Sequence, residues 1–301
     1  MVTTARAPLR ATPTPARRHA LLQRRDVPRT RFRWTVDPWP AREVGSWTLH
    51  VHEHAGPFAG AVEDPGTESL RDLARELHDV PPDEPVAIGF ATDPYLPDEA
   101  EFGRTRRVIE GLLDLEGLDV TITTKSTLVA RDRDLLARLA DRHRLAVNVA
   151  VPTLDRRLAR ALEPDAPRPD LRLKALSELA GAGVPVGILA APVLPSIGDD
   201  AGAMDRLAAA AAGAGAEWLA ANALVLLPSV QAALFPYLAI ELPDLVDRAR
   251  ARHERSPVSP EAYRAGLADL VRRLSRAHGL TGDRAAAPGA SERRGPQLAL
   301  F

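Results

Sequence analysis

The chain is 301 residues long, carries a formal net charge of −1 and is 45% hydrophobic, enough for one large buried core with a small appendage. It contains no cysteine, which removes disulfides, thiol nucleophiles and every thiolate metal site. With no run of about 18 uncharged apolar residues and no overall basic charge, the composition argues against a membrane-spanning helix and against a global pull toward nucleic acid.

Residues 1–30 hold seven arginines (6, 10, 17, 18, 24, 25 and 29) against one acid, Asp26. They read as a disordered basic leader able to contact DNA locally, and they lack the apolar stretch of a secretory signal. Of the 39 basic residues all but Lys125 and Lys174 are arginine, a skew that fits a GC-rich coding bias and a cytoplasmic bacterial protein. The first β-like run is Arg31–Val36. After it, His50-Val51-His52-Glu53-His54 puts three imidazoles on one face if the segment is a strand. Alternating histidines suit a divalent metal, and the other reading is a polar, partly exposed strand face.

From Pro85 onward short apolar runs alternate with helical patterns, the signature of βαβ units and a parallel sheet. The expected strands are Val86–Phe90, Val120–Thr123, Leu145–Val151, Val184–Val193 and Trp218–Leu227. The expected helices lie near 67–78, 99–115, 131–142, 155–182 (broken by Pro164, Pro167 and Pro169) and 200–214. Periodicity alone leaves two α/β architectures, a doubly wound sheet and a whole or partial (βα) barrel. After Pro228 the pattern turns helical over Leu238–Arg252 and Pro260–Arg276, and residues 281–296 read as a flexible linker.

In either architecture ligands sit beyond the C-terminal strand ends. Thr92 and Asp93 follow one strand, and Thr124, Lys125 and Ser126 follow the next. A lysine stands out in a chain that almost never uses one, and its ammonium is a point charge for a carboxylate or phosphate. The competing reading makes Thr92 and Asp93 turn or cap residues and Lys125 a solvated charge.

Five blocks together carry a resemblance: Gly89-Phe90-Ala91-Thr92-Asp93-Pro94-Tyr95-Leu96-Pro97, Thr124-Lys125-Ser126, Thr153-Leu154-Asp155, Leu162-Glu163-Pro164-Asp165-Ala166-Pro167 and Ala190-Ala191-Pro192-Val193-Leu194-Pro195. In order and spacing they resemble the radical S-adenosylmethionine superfamily, in its spore photoproduct lyase-like branch. The resemblance implies an α/β fold, a (βα)6 partial TIM-type barrel with parallel strands, here with a C-terminal helical extension. It also implies S-adenosylmethionine at the strand ends, with Thr92, Asp93, Lys125, Ser126 and Asn148 as the positions beside it. The family's Cys-x3-Cys-x2-Cys loop, which holds a [4Fe-4S] cluster, has no counterpart between Arg33 and Ser46. The cluster is therefore not supported by this sequence, and its loop is either deleted or substituted.

The last five residues, Gln297-Leu298-Ala299-Leu300-Phe301, resemble the bacterial sliding-clamp-binding peptide. That resemblance implies Gln297 as the hydrogen-bonding anchor and Leu298, Leu300 and Phe301 as apolar anchors; a lid folded back on the barrel is the other reading. The expected organisation is a leader over 1–30, a barrel over 31–228, C-terminal helices over 229–280 and a tail over 281–301. The expected function is a cluster-less accessory factor or pseudoenzyme in DNA repair or replication, tethered to the clamp. The alternative is an enzyme that retains S-adenosylmethionine or uses a histidine-bound metal.

Overall fold

The computed structural model describes residues 93–163, 165–194, 198–223 and 261–282, residues 73–89 and 235–250 with gaps, and the backbone of two short strands at 22–24 and 34–36. Strands run from β1 (Leu22–Arg24) and β2 (Trp34–Val36) through β3 (Val86–Ile88), β4 (Asp119–Thr124), β5 (Arg144–Ala150), β6 (Val186–Val193) and β7 (Trp218–Ala223) to β8 (Thr281–Gly282). They lie in the sheet in that same order. From β2 onward every neighbouring pair is parallel, and only β1 runs antiparallel, on the edge. Strictly sequential parallel order decides between the two architectures left open by periodicity. A doubly wound sheet reverses its order at a switch point, whereas a barrel adds each strand beside the last.

Two boundaries drawn from sequence shift. Leu22–Arg24, inside the stretch read as a disordered leader, pair with Val36–Trp34 as β1. Thr281–Gly282, inside the stretch read as a tail, pair with Trp218 and Leu219 as β8. The helix expected over 99–115 is two, α1 (Glu99–Phe102) and α2 (Arg104–Leu112), because Gly103 between them takes φ 58°, a left-handed conformation that glycine adopts without strain. A 3-10 turn at Thr127–Asp132 precedes α3 (Arg133–Arg142). The prolines split the next pattern into α4 (Arg156–Leu162) and α5 (Pro169–Gly181), with Pro169 at the first turn of α5, where its missing N–H costs nothing. Then come α6 (Ala201–Gly213) and α7 (Glu261–Ala277).

The two faces of the sheet differ. Val86, Ile88, Val120, Ile122, Leu145, Val147, Val149, Val186, Ile188 and Leu219 point one way and join the helix side chains Val108, Ile109, Leu136, Leu139, Leu176, Leu179, Met204 and Leu207 in one core. Strand alternation sends Ala87, Thr121, Thr123, Ala146, Asn148, Ala150, Gly187 and Trp218 to the other, inner face.

Candidate functional site

The site grows from the loops that leave β3, β4 and β5. Gly89 turns the chain out of β3 with φ 79°; a Cβ there would lie 2.3 Å from the Pro94 ring, so the tight turn needs glycine. That turn presents Asp93. Its Oδ1 accepts from the Tyr95 N–H at 2.9 Å and from the Thr124 hydroxyl at 2.6 Å, and its Oδ2 accepts from the Lys125 N–H at 2.7 Å. Asp93 therefore ties the loop after β3 to the end of β4, and both carboxylate oxygens are engaged. Ser126 accepts from the Leu128 N–H at 3.2 Å as the cap of the 3-10 turn, and its own N–H donates to Thr124 Oγ1 at 3.0 Å.

Lys125 is the largest departure from expectation. Instead of standing as a solvated charge or an open receptor for a ligand, its Nζ lies 2.6 Å from Glu163 Oε1. The other oxygen of Glu163 accepts from Arg172 Nη2 at 2.6 Å. Arg172 also donates from Nε to the Pro167 carbonyl at 2.6 Å and from Nη1 to the Ala150 carbonyl at 2.8 Å. The Glu163 and Arg172 side chains are 2% and 1% exposed, while Lys125 keeps 21%. The triad thus clasps the end of β4, the end of β5 and the loop between α4 and α5. Burial alone would raise the Glu163 carboxyl, but the charges of Lys125 and Arg172 outweigh it and hold the group below the usual carboxylate range. A buried pair satisfied in this way is worth little net, yet removal of one partner is costly.

Asn148 sits within β5, below the strand end. Its Oδ1 accepts from the Trp218 indole N–H at 2.9 Å, and its amide donates to Thr123 Oγ1 at 3.4 Å. Trp218 reaches it by lying across Gly187 of β6, where a Cβ would come within 2.3 Å of the indole. Register puts Thr123 beside Asn148 and Asn148 beside Gly187. The row is a floor to the inner face, with Asn148 set into it below the strand end.

A second polar assembly flanks the first. Glu99 accepts from the Thr105 and Arg106 N–H groups at 2.8 and 3.2 Å and from Arg131 Nη2 at 2.9 Å. Asp132 accepts from Arg106 Nη1 at 2.7 Å and from Arg131 Nε and Nη2 at 2.9 and 2.8 Å. Burial, and next the Asp132 carboxylate, push the neighbouring Tyr95 phenol well above its ordinary value.

Of the residues singled out in sequence, Asp93, Lys125 and Ser126 come together at the mouth, Asn148 lies below them, and Thr92 falls outside the described residues. So do His50, His52 and His54 and the tail residues Gln297, Leu298, Leu300 and Phe301. Among the described residues no group of three or more His, Cys, Asp or Glu is arranged to hold a metal, and no helix is long and apolar enough to cross a membrane. Glu163 stands in one of the five motif blocks with no role implied for it, and Arg172 lies outside all of them. The available signal was an arginine on the apolar stripe of α5, at the spacing of Ala175, Leu176 and Leu179, because a charge on a buried stripe requires a partner.

Comparison with known proteins gives a consistent picture. The Radical SAM superfamily matches residues 50–207. An uncharacterized protein of Mycobacterium tuberculosis is 34% identical over 209 residues, 69% of this chain and 61% of that one. The chain thus spans about three fifths of the length of that relative. An uncharacterized protein of Acidianus two-tailed virus is 38% identical over 110 residues, 36% of this chain and 35% of that one. Among solved structures, a spore photoproduct lyase mutant with bound AdoMet and dinucleoside spore photoproduct aligns with a TM-score of 0.56 at 15% identity, covering 71% of this chain and 64% of that one. The lyase complexed with dinucleoside spore photoproduct aligns with a TM-score of 0.52 over 73% of this chain and 65% of that one. These alignments support the partial-barrel fold.

Proposed function

This chain belongs to the radical S-adenosylmethionine superfamily, and we propose that it uses the family scaffold without radical chemistry, as an accessory factor in DNA repair or replication tethered to a sliding clamp. One observation carries the non-radical reading: Asp93, Lys125 and Ser126 at the strand ends and Asn148 below them are bonded to other groups of the same chain. The family's cofactors then fit poorly. A [4Fe-4S] cluster of the family's type needs three thiolates, and this chain supplies none. The amino-acid end of S-adenosylmethionine needs charged anchors, and here Lys125 is paired with Glu163 while both Asp93 oxygens are engaged.

The clamp tether is supported by Gln297, Leu298, Leu300 and Phe301, and contact with DNA by the arginines of the leader. A second reading, retention of S-adenosylmethionine, is favoured by the small inner-face side chains Ala87, Ala146 and Ala150 on β3 and β5, where barrels of this type carry bulky residues.

Anaerobic reconstitution with iron and sulfide, followed by calorimetry with S-adenosylmethionine, separates the readings. The accessory role predicts no stoichiometric cluster and no binding heat, and a stable cluster overturns it. For the tether, Leu300→Ala with Phe301→Ala is expected to abolish clamp binding, since a few apolar anchors carry most of the energy of a small interface. Unaltered clamp affinity sinks the tether, and a lowered melting temperature instead identifies the tail as a lid.

A further inference from the structure

We propose that Arg264 is an anion-binding residue on the C-terminal side of the sheet, the receptor for a phosphate or carboxylate group of a ligand that arrives beside the end of β7. The inference is independent of the clamp tether and of the family's cofactors.

Its position follows from α7. The buried residues of that helix are Leu267, Val271 and Ser275, spaced as one helical stripe. Arg264 stands one turn before Leu267 and continues the stripe. The helix packs on β7 and leads into β8, whose Thr281 pairs with Trp218 at the start of β7. A helix that ends beside the start of a strand and packs along it runs antiparallel to that strand. The first turns of α7, and Arg264 with them, therefore lie toward the C-terminal end of β7, the side on which this architecture binds ligands.

The state of the guanidinium calls for a partner. Nε and Nη1 of Arg264 are withdrawn from solvent and have no hydrogen-bond acceptor. An exposed guanidinium without an acid is hydrated and needs nothing more, whereas a shielded one has lost its water with no bond in exchange. Other inward arginines are provided for. Arg172, also on a buried helix stripe, donates from all three nitrogens, and Arg104, whose Nε is likewise shielded, lies over the Phe102 ring at 5.9 Å. Glu261, one turn earlier on α7, is exposed and accepts from neither shielded nitrogen of Arg264. A residue that works against the fold in this way is expected where function requires it.

The chemistry of the partner is set by the group. A neutral acceptor would leave the charge uncompensated, and an oxyanion meets both the charge and the paired N–H donors of a guanidinium. Arg264 as a whole is half-buried and no hydrogen bond holds Nε or Nη1, so the side chain can turn toward an arriving oxyanion without breaking one.

The test uses the full chain with inorganic phosphate and with acetate as probes, each against chloride at matched ionic strength, and reads the urea midpoint. Either anion is expected to raise the midpoint of the unmodified chain, as a ligand of the folded state does. Arg264→Met is expected to match or exceed the unmodified midpoint in chloride, because it removes an uncompensated charge, and to weaken the apparent affinity for the anion at least about tenfold. Arg276→Met, an exposed position on the same helix, is expected to respond to the anion as the unmodified chain does. A response to phosphate alone assigns a phosphoryl ligand, one to acetate alone a carboxylate, and both support the site. An Arg264→Met chain that fails to fold or has a lower midpoint in chloride shows a structural guanidinium and overturns the proposal. So does an equal anion response in Arg264→Met, which means an adventitious ion only, and so does no response in the unmodified chain. Neither clamp nor S-adenosylmethionine is present, so failure of either reading above leaves this result unaffected.

Discussion

The two faces of the sheet solve different problems with the same strands. On the helix side, Ile122, Val147, Val149 and Ile188 meet Leu136, Leu139, Leu176 and Met204 in a continuous apolar core, and stability there scales with the area withdrawn from water. On the inner side and at the mouth, Ala, Thr and Gly stand beside Asn148, Trp218 and the Lys125–Glu163–Arg172 clasp, and order depends on every polar group having its partner. Adjacent residues on one strand, Ile122 and Thr123, serve the two regimes. The outer core thus specifies the fold by apolar area, while the inner face and mouth are ordered by specific polar pairings.

The comparison can be broken most severely at the clasp. Arg172→Met leaves Glu163 buried with one partly exposed partner and frees the Pro167 and Ala150 carbonyls, so a loss of about 3–5 kcal/mol is expected in urea unfolding. Lys125→Met should cost clearly less, because Arg172 remains to balance the carboxylate. Equal costs would show that burial does not rank the two cations. On the opposite face Ile122→Ala is expected to cost about 2–5 kcal/mol by opening a cavity, whereas Thr123→Ala should lie near 1 kcal/mol, the scale of one modest hydrogen bond. Comparable values for this adjacent pair would remove the distinction between the faces.

Trp218→Phe keeps the ring over Gly187 but leaves the Asn148 oxygen without its donor. About 1–3 kcal/mol is the expected cost, read as a shift of the urea midpoint, and Trp218→Phe combined with Asn148→Leu should recover part of it.

Acid sharpens the contrast in a smaller, graded way. The Glu163 carboxyl is held low when folded, so its contribution is complete above the unfolded carboxylate range and is lost as pH falls through the folded value. His143 is also held low, chiefly by burial. Its Nδ1 accepts from the Leu118 N–H at 3.2 Å, and its Nε2 donates to the Leu112 carbonyl at 2.8 Å. The neutral ring fits this place, so stability should begin to fall as pH drops below the ordinary histidine value of about 6.5. His143→Gln should flatten the first part of the pH–stability curve and Glu163→Gln the acid end. Neither removes the other's share if the two sites act independently.

Sequence alone reached far into the scaffold. Alternating apolar runs locate β3 to β7 within a few residues, the prolines at 164, 167 and 169 mark the break between α4 and α5, and the ordered motif blocks point to the family. These features are local: hydrophobic period, a missing N–H and short-range spacing are written in consecutive residues. The composition also settled that this chain supplies no thiolate to a cluster.

Tertiary structure decided what the strand-end residues do. Lys125 lies far from Glu163 and Arg172 in sequence, and nothing in their neighbourhoods states that one carboxylate lies within 2.6 Å of both cations. Asn148 takes its neighbours from register, which sets it beside Gly187, and its donor from Trp218. The sequential strand order, which separates a partial barrel from a doubly wound sheet, likewise follows from which edges pair and not from what the strands contain. Periodicity encodes which side of an element is buried. The partner that a buried polar group meets is fixed by the fold, because leaving such a group unpaired costs more than local propensity can supply.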